Sequence, residues 1–263
     1  MPSTIHIHPR YEQRAPAPGE PRREQNHRYV HLDWDLPLSE TALICLDIWN
    51  YDLREDMREI DDRITRERIV PVVAAARQHG LQIIHAPAPQ VAQKSPNWVK
   101  LIPESEKPQE AWPNSPDWPP REFRHKSGQY EKYARPEPWC RAQDIEESRQ
   151  LDFHDLVRPE GDEAVILTGE ELHRLCHQRG ILHLIYVGFH VPGCVTLRNY
   201  GLPQMDAYGY HCILVRDCTN GMESHTTFKD QGCMRGAIAF LEQIRMYTLE
   251  SPELISALEA GSV

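Results

Sequence analysis

Residues Leu184-Ile-Tyr-Val-Gly-Phe-His-Val-Pro-Gly-Cys-Val195 decide how the rest of the chain is read. Ile185, Tyr186 and Val187 are uncharged strand formers, the pattern of a strand covered on both faces. Gly188, Pro192 and Gly193 break that pattern and turn the chain. Cys194 then opens a segment to Ala207, read as one helix running through Pro203. A thiol at a helix start faces unpaired N–H groups and the positive end of the dipole, which favour the thiolate. The same N–H groups suit a developing oxyanion.

Upstream, Thr41-Ala-Leu-Ile-Cys-Leu-Asp47 is a second apolar strand, and it ends on a carboxylate. Ligands of open parallel sheets bind beyond the carboxyl ends of the strands, so Asp47 is a candidate general base. An Asp that merely caps the following turn is the competing reading. Trp49 and Tyr51 would line the same mouth. Arg58 to His79 leads into a helix closed by Gly80, and Leu81–His85 is the next strand, with His85 at its end. Ala164–Leu167 reads as a strand. Thr168 and Glu171 suit a capping box on a helix ending at Gly180. His173, Cys176 and His177 lie on that helix without the further ligands a zinc site needs. Downstream, Tyr210 to Asp217 is a strand, Phe228 to Tyr247 a helix, and Ser251 starts a last short helix.

Alternation of strands and helices implies right-handed crossovers. The expected fold is a three-layer α/β/α, Rossmann-like domain with a mostly parallel central sheet. Residues 1–36 are rich in Pro, Arg, Glu and His and read as an extended or partly disordered arm. Tyr29, Val30 and Trp34 are anchors with which it could wrap a neighbouring subunit. Residues 37–263 form the domain, with an insertion at about 87–155. That insertion holds half of the 22 prolines and four of the six tryptophans, Trp98, Trp112, Trp118 and Trp139. Segments of this kind are commonly lids.

A net charge of −10 without a basic run argues against nucleic acid as a partner. No apolar run is long enough to cross a bilayer, and the start lacks the apolar core of a signal peptide. Seven cysteines without paired spacing suit reduced thiols and a cytoplasmic setting. Neither a dinucleotide fingerprint nor a phosphate loop is present. No cofactor is expected.

The strand ending in Asp47, then Gly188-Phe-His-Val-Pro-Gly-Cys194-Val, Gly209-Tyr210 and the strand ending at Asp217 together resemble the isochorismatase-like cysteine hydrolases. That family includes nicotinamidases, carbamoylsarcosine amidases and ureidoacrylate-type amidohydrolases. The resemblance spans about Thr41 to Tyr247. It implies a triad in which Asp47 is the base and Cys194 the nucleophile, joined by a lysine. It also implies a cis peptide at His190–Val191 and an oxyanion hole from the backbone N–H groups of Val191 and Cys194. At the lysine's usual place the chain reads Val165-Ile-Leu-Thr-Gly. Lys126, Lys132 and Arg198 are the candidate replacements. The Asp-x-His metal pattern of nicotinamidases is absent, so no catalytic metal is expected. The implied activity is hydrolysis of a small amide, ureide or carbamoyl compound through an acyl-enzyme, with Trp49, Tyr51, His85 and His190 shaping the pocket. A degenerate member that binds a small molecule, and ether hydrolysis without cysteine attack, are the alternatives. The resemblance also implies a homodimer or homotetramer.

Overall fold

The computed structural model describes residues 3–52, 54–106, 118–134 and 149–261. The chain divides into two compact units, Met1–Leu101 with Leu151–Val263, and Ile102–Gln150. The first unit is built on a sheet of eight described strands, and sequence pattern explains its centre. β5 (Thr41–Leu46) is buried at every position. Leu43 and Cys45 pack into one apolar layer, and Ala42, Ile44 and Leu46 into the opposite one. Burying one large apolar side chain contributes about 1.5–3 kcal/mol, against a strand-propensity scale spanning about 1 kcal/mol. Two-sided burial therefore fixes this strand, as the unbroken apolar run implies.

The remaining strands are β1 (Thr4–Ile7), β2 (Arg10–Gln13), β3 (Arg28–His31), β4 (Trp34–Pro37), β6 (Gln82–Ala86), β7 (Ala164–Val165), β8 (His183–Gly188), β9 (His211–Val215) and β10 (Tyr247–Leu249). The large sheet has the order β3-β2-β10-β9-β8-β5-β6-β7. From β10 to β7 every pairing is parallel, and β2 and β3 add antiparallel at the edge. One face is covered by α1 (Glu55–Ile64), its continuation α2 (Val70–Gln78) and the C-terminal helix. The other carries α3 (Gly169–Arg179), α4 (Cys194–Leu197), α5 (Leu202–Ala207) and α6 (Gly232–Gln243). The C-terminal helix is α7 (Ser251–Ala260). This is the expected three-layer α/β/α arrangement.

Chain direction across the sheet reverses beside β5. The chain leaves β5 for β6 and β7 on one side, then returns to β8 on the other. Such a switch point opens a crevice at the carboxyl ends of the strands. Asp47 follows β5 and Cys194 follows β8, so the topology brings them to one crevice.

Three expectations change. The arm is extended but ordered: β1 pairs with β4, β2 pairs with β3, and β2 joins the main sheet through β10. Ile5 and Ile7 are fully buried. Trp34 stacks on His211 at 5.1 Å and meets Tyr247 edge-on at 4.6 Å, so this anchor docks on its own chain. The separate insertion is narrower than expected, residues 102–150. Trp98 falls in the first unit, where its indole N–H lies 3.0 Å from both carboxylate oxygens of Glu171. Within the second unit, Arg121–Arg124 is a helical turn and Phe123 meets Tyr130 edge-on at 5.2 Å. Trp112 and Trp139 lie outside the described residues.

Finally, the helix expected from Cys194 to Ala207 is two helices. Pro203 sits in the first turn of α5, where its missing N–H costs nothing, instead of in a helix interior. Between α4 and α5, Arg198 is extended. Gly201 lies against the Val195 carbonyl so closely that a Cβ there would come within 2.7 Å of the oxygen.

Candidate active site

The crevice is assembled by close backbone approach. A Cβ at Gly188, whose φ is +124°, would fall 1.8 Å from the Leu46 carbonyl oxygen. Phe189 N–H donates to that same oxygen at 3.0 Å, and Asp47 N–H donates to Ala86 O at 3.1 Å. Asp47 itself has a left-handed backbone, φ 47°, a conformation Asp tolerates better than most residues.

Asp47 is fully buried. One carboxylate oxygen accepts from Arg198 Nε at 3.1 Å and the other from Trp49 Nε1 at 3.3 Å. The Cys194 thiol stands near enough to both groups for the Asp47 charge and the Arg198 charge to act on its ionisation. Asp47, Cys194 and Arg198 thus form one electrostatic cluster. Of the three candidate cations, Arg198 is the one that bonds Asp47. Lys126 and Lys132 belong to the second unit, where Lys126 donates to Phe123 O at 2.7 Å and Lys132 lies over the Tyr133 ring at 5.0 Å.

Arg198 is delivered by the break between α4 and α5, and its neighbours hold that break. Gly169 N–H donates to the Asn199 side chain at 3.0 Å. Tyr186 OH donates to the Tyr200 carbonyl at 3.0 Å, and Tyr200 OH to Pro87 O at 2.9 Å.

Burial pushes the Asp47 carboxyl up, and its bonds from Arg198, Cys194 and Trp49 recover only part of that. Burial and the adjacent Asp47 charge push the Cys194 thiol up to about 12, with Arg198 opposing. The thiolate expected from a helix start is therefore not the resting state. α4 is a single turn of four residues, too short for a strong dipole, and a carboxylate stands beside the sulfur. Cys194 thus rests as a neutral thiol beside Asp47.

The turn before Cys194 also differs from expectation. The cis peptides lie at Phe189–His190 and Val191–Pro192. Val191 N–H donates to Asn220 O at 2.8 Å, which removes it from an oxyanion hole. Among the described residues, the N–H groups of His190 and Cys194 meet no acceptor and flank the thiol in sequence.

Trp49 and Tyr51 line a cavity of about 480 Å³; Asp47, Cys194 and Arg198 are not part of its lining, and the Trp49 bond to Asp47 is the link between the two. His190 meets Trp49 edge-on at 6.0 Å, and its Nε2 bonds Asp61 at 2.7 Å. Asp61 also accepts from Asn220 Nδ2 at 2.9 Å. Asn220 thus grips the turn through both Asp61 and the Val191 amide. Sequence reading missed Asp61, one acid among many on a charged helix, and Asn220. His85 is not a pocket residue. It pairs with Cys45 in register and its Nε2 meets Glu163 at 2.9 Å, beneath the sheet. Burial holds its pKa below the ordinary value.

Five carboxylates line the cavity, Asp52, Glu55, Glu59, Asp61 and Asp62, with Arg58 as the one guanidinium. Arg54 neutralises Asp52 through two bonds of 2.8 Å, and Arg66 pairs with Asp62 at 2.8 Å. The lining remains acidic overall.

An α/β fold with a buried Asp, a Cys and a cation at its switch point defines a hydrolase-like crevice. The family profile described as Isochorismatase domain matches residues 41–241, and the chain belongs to that family. Among solved structures it is similar to a cysteine hydrolase from Pseudomonas syringae pv. phaseolicola, at 14% identity and TM-score 0.54, covering 87% of this chain and 96% of that one. An isochorismatase family protein from Desulfovibrio vulgaris aligns at 16% identity and TM-score 0.49, over 84% and 97% of the two chains. The first of these likenesses shows the fold. No curated protein matches the chain. No described helix is long and apolar enough to cross a membrane.

Proposed function

We propose that the protein is a cysteine-dependent hydrolase of a small amide, ureide or carbamoyl compound. The observation that carries this reading is the buried Asp47–Arg198 pair at the switch point, close enough to the Cys194 thiol for both charges to act on it. Asp47 takes the thiol proton as sulfur attacks the carbonyl carbon. The oxyanion that forms is held by the His190 and Cys194 amides. Collapse breaks the C–N bond, and protonated Asp47 returns the proton to the departing amine. Water then attacks the thioester, Asp47 taking its proton, and the thiol is regenerated with release of the acid.

Arg198 has the part the family gives to lysine. A buried carboxylate beside a developing thiolate needs a permanent positive charge, and arginine cannot lose its own. The cation also supports turnover over mere binding, since a site that only held ligand has no need of it. The acidic cavity favours a neutral or cationic substrate and opposes carboxylate-bearing ethers. By the family's habit the protein works as a homodimer or homotetramer.

The test is a screen of neutral and cationic amides for ammonia or amine release, with intact-mass detection of an acyl adduct. Cys194→Ala should abolish both release and adduct. Hydrolysis that survives this substitution would sink the cysteine mechanism.

A further inference from the structure

The His6-Ile7-His8 run lies far from this chemistry in sequence and in role. In a strand, alternate side chains share a face. Ile5 and Ile7 point into the core, so His6 and His8 both face outward. Their rings stand 4.7 Å apart, edge to face. His6 Nε2 lies 2.9 Å and His8 Nε2 3.3 Å from the same oxygen of Asp33.

Behind the rings stand two more carboxylates. His6 Nδ1 meets Asp35 at 2.8 Å, its direct cross-strand partner. Glu253 of α7 accepts from the His8 backbone N–H at 2.6 Å and lies 3.9 Å from His8 Nδ1. A carboxylate bonded behind the ring is the arrangement that orients a metal-binding histidine, and His6 has it. The charge balance points the same way. Among the described residues, the ion-pair partners of Asp33, Asp35 and Glu253 are these two histidines alone. Among the described residues, no arginine or lysine pairs with any of these three carboxylates.

We infer that His6 Nε2, His8 Nε2 and Asp33 form a binding site for a first-row divalent transition ion of the zinc class, with His6 oriented by Asp35. Nitrogen and carboxylate donors at about 2.0–2.2 Å place neighbouring ligand atoms about 3.3–3.5 Å apart in a tetrahedral shell. The three donor atoms already lie within 4.8 Å of one another. Seating the ion opens the His6–Asp33 contact by a few tenths of an ångström and brings the two Nε2 atoms to about 3.3–3.5 Å of each other, with water as the fourth ligand. The bound ion ties the N-terminal arm to the segment before β4 and, through Glu253, to the C-terminal helix.

A second buried group, Asp52, Asp61 and His190, has comparable spacing, but Arg54 and Asn220 already satisfy its carboxylates. The experiment must separate the two. The full chain is titrated with Zn²⁺ by calorimetry and with Co²⁺ by visible absorption. One ion per chain is expected, lost in the His6→Ala/His8→Ala double variant and weakened about 10–100-fold in Asp35→Asn. The substituted side chains are exposed, so the metal-free variants should keep the wild-type circular dichroism and melting temperature. Zn²⁺ uptake that persists unchanged in the double variant overturns the inference and directs attention to Asp61 and His190. Absence of uptake by the wild type up to millimolar ion also overturns it, leaving the carboxylates to hold protonated histidines.

Discussion

Replacing Asp47 by Asn should make Cys194 more reactive toward a simple electrophile and the enzyme less able to turn over. Both effects come from one charge. In the wild type, burial and the Asp47 carboxylate hold the thiol pKa at about 12. Two unit charges about 4 Å apart interact by about 1 kcal/mol in bulk water and about 4 kcal/mol at an effective dielectric constant of 20. Burial is the largest cause of the raised thiol and remains, so removing the carboxylate should lower the thiol by about 1–2 pK units. Arg198, released from Asp47, becomes available to the sulfur and works in the same direction. At pH 8 the thiolate fraction then rises by about 10–100-fold. A less basic thiolate is a weaker nucleophile, with a Brønsted slope of about 0.4–0.5, so the net gain in alkylation is about 3–15-fold. The assay is iodoacetamide labelling of Cys194 across pH, site-resolved by mass spectrometry, and it needs no knowledge of the substrate. Amide hydrolysis, which requires the base, should fall in the same variant. An alkylation rate equal to or below wild type would refute the claim that Asp47 keeps the proton on sulfur.

Arg198→Gln should raise the Asp47 pKa further, because burial already pushes it up and the guanidinium opposes that. Activity needs the carboxylate, so the acid limb of kcat/KM moves to higher pH, and Arg198→Lys restores part of the shift. An unmoved limb would remove Arg198 from the triad. Asp61→Asn should lower kcat about tenfold or more, since Asp61 holds His190 and the turn that carries Cys194; a change confined to KM would reduce Asp61 to part of the cavity wall. Gly188→Ala should cost more than about 3 kcal/mol in urea unfolding, given the backbone oxygen 1.8 Å from the added methyl and the positive φ. Glu163 supplies the pH test of stability. Burial opposes its ionisation, yet Arg77 and His85 outweigh this and bring it down to about 2. A depressed carboxylate stabilises the fold above its unfolded pKa of about 4.5, and the benefit disappears as pH falls towards 2. Glu163→Gln should therefore lose about 2–3 kcal/mol at neutral pH and flatten the acid branch of the stability profile; a parallel branch would show the pairing to be inert.

Much of the architecture was legible because it rests on two-sided burial. The β5 and β8 runs carry no charge, and nothing but a central parallel strand accommodates them. Asp47 and Cys194 followed from strand ends and topology. Arg198 could only be a candidate, because its placement depends on where the helix after Cys194 breaks. Pro203 signalled that break, and reading the helix through it concealed the residue's reach. The thiol's protonation was misread for a related reason. A helix start promises a thiolate only if the helix has length and no anion adjoins it. The arm's order was hidden because its core contribution is two isoleucines in a polar stretch, paired with strands distant in sequence. His85 looked like a pocket residue from its strand end, but pleat parity sends it to the face opposite Ala86.

The break between α4 and α5 places the proposed nucleophile and a permanent cation four positions apart on one short stretch, anchored by Tyr186, Tyr200 and Gly169. On the proposed mechanism, a lysine offered from the end of β7 would make the chemistry depend on three separately folded segments staying in register. With Arg198 two suffice, the end of β5 and the loop after β8. That mechanism asks nothing of β7, whose sequence is then left free to diverge without dismantling the reacting groups.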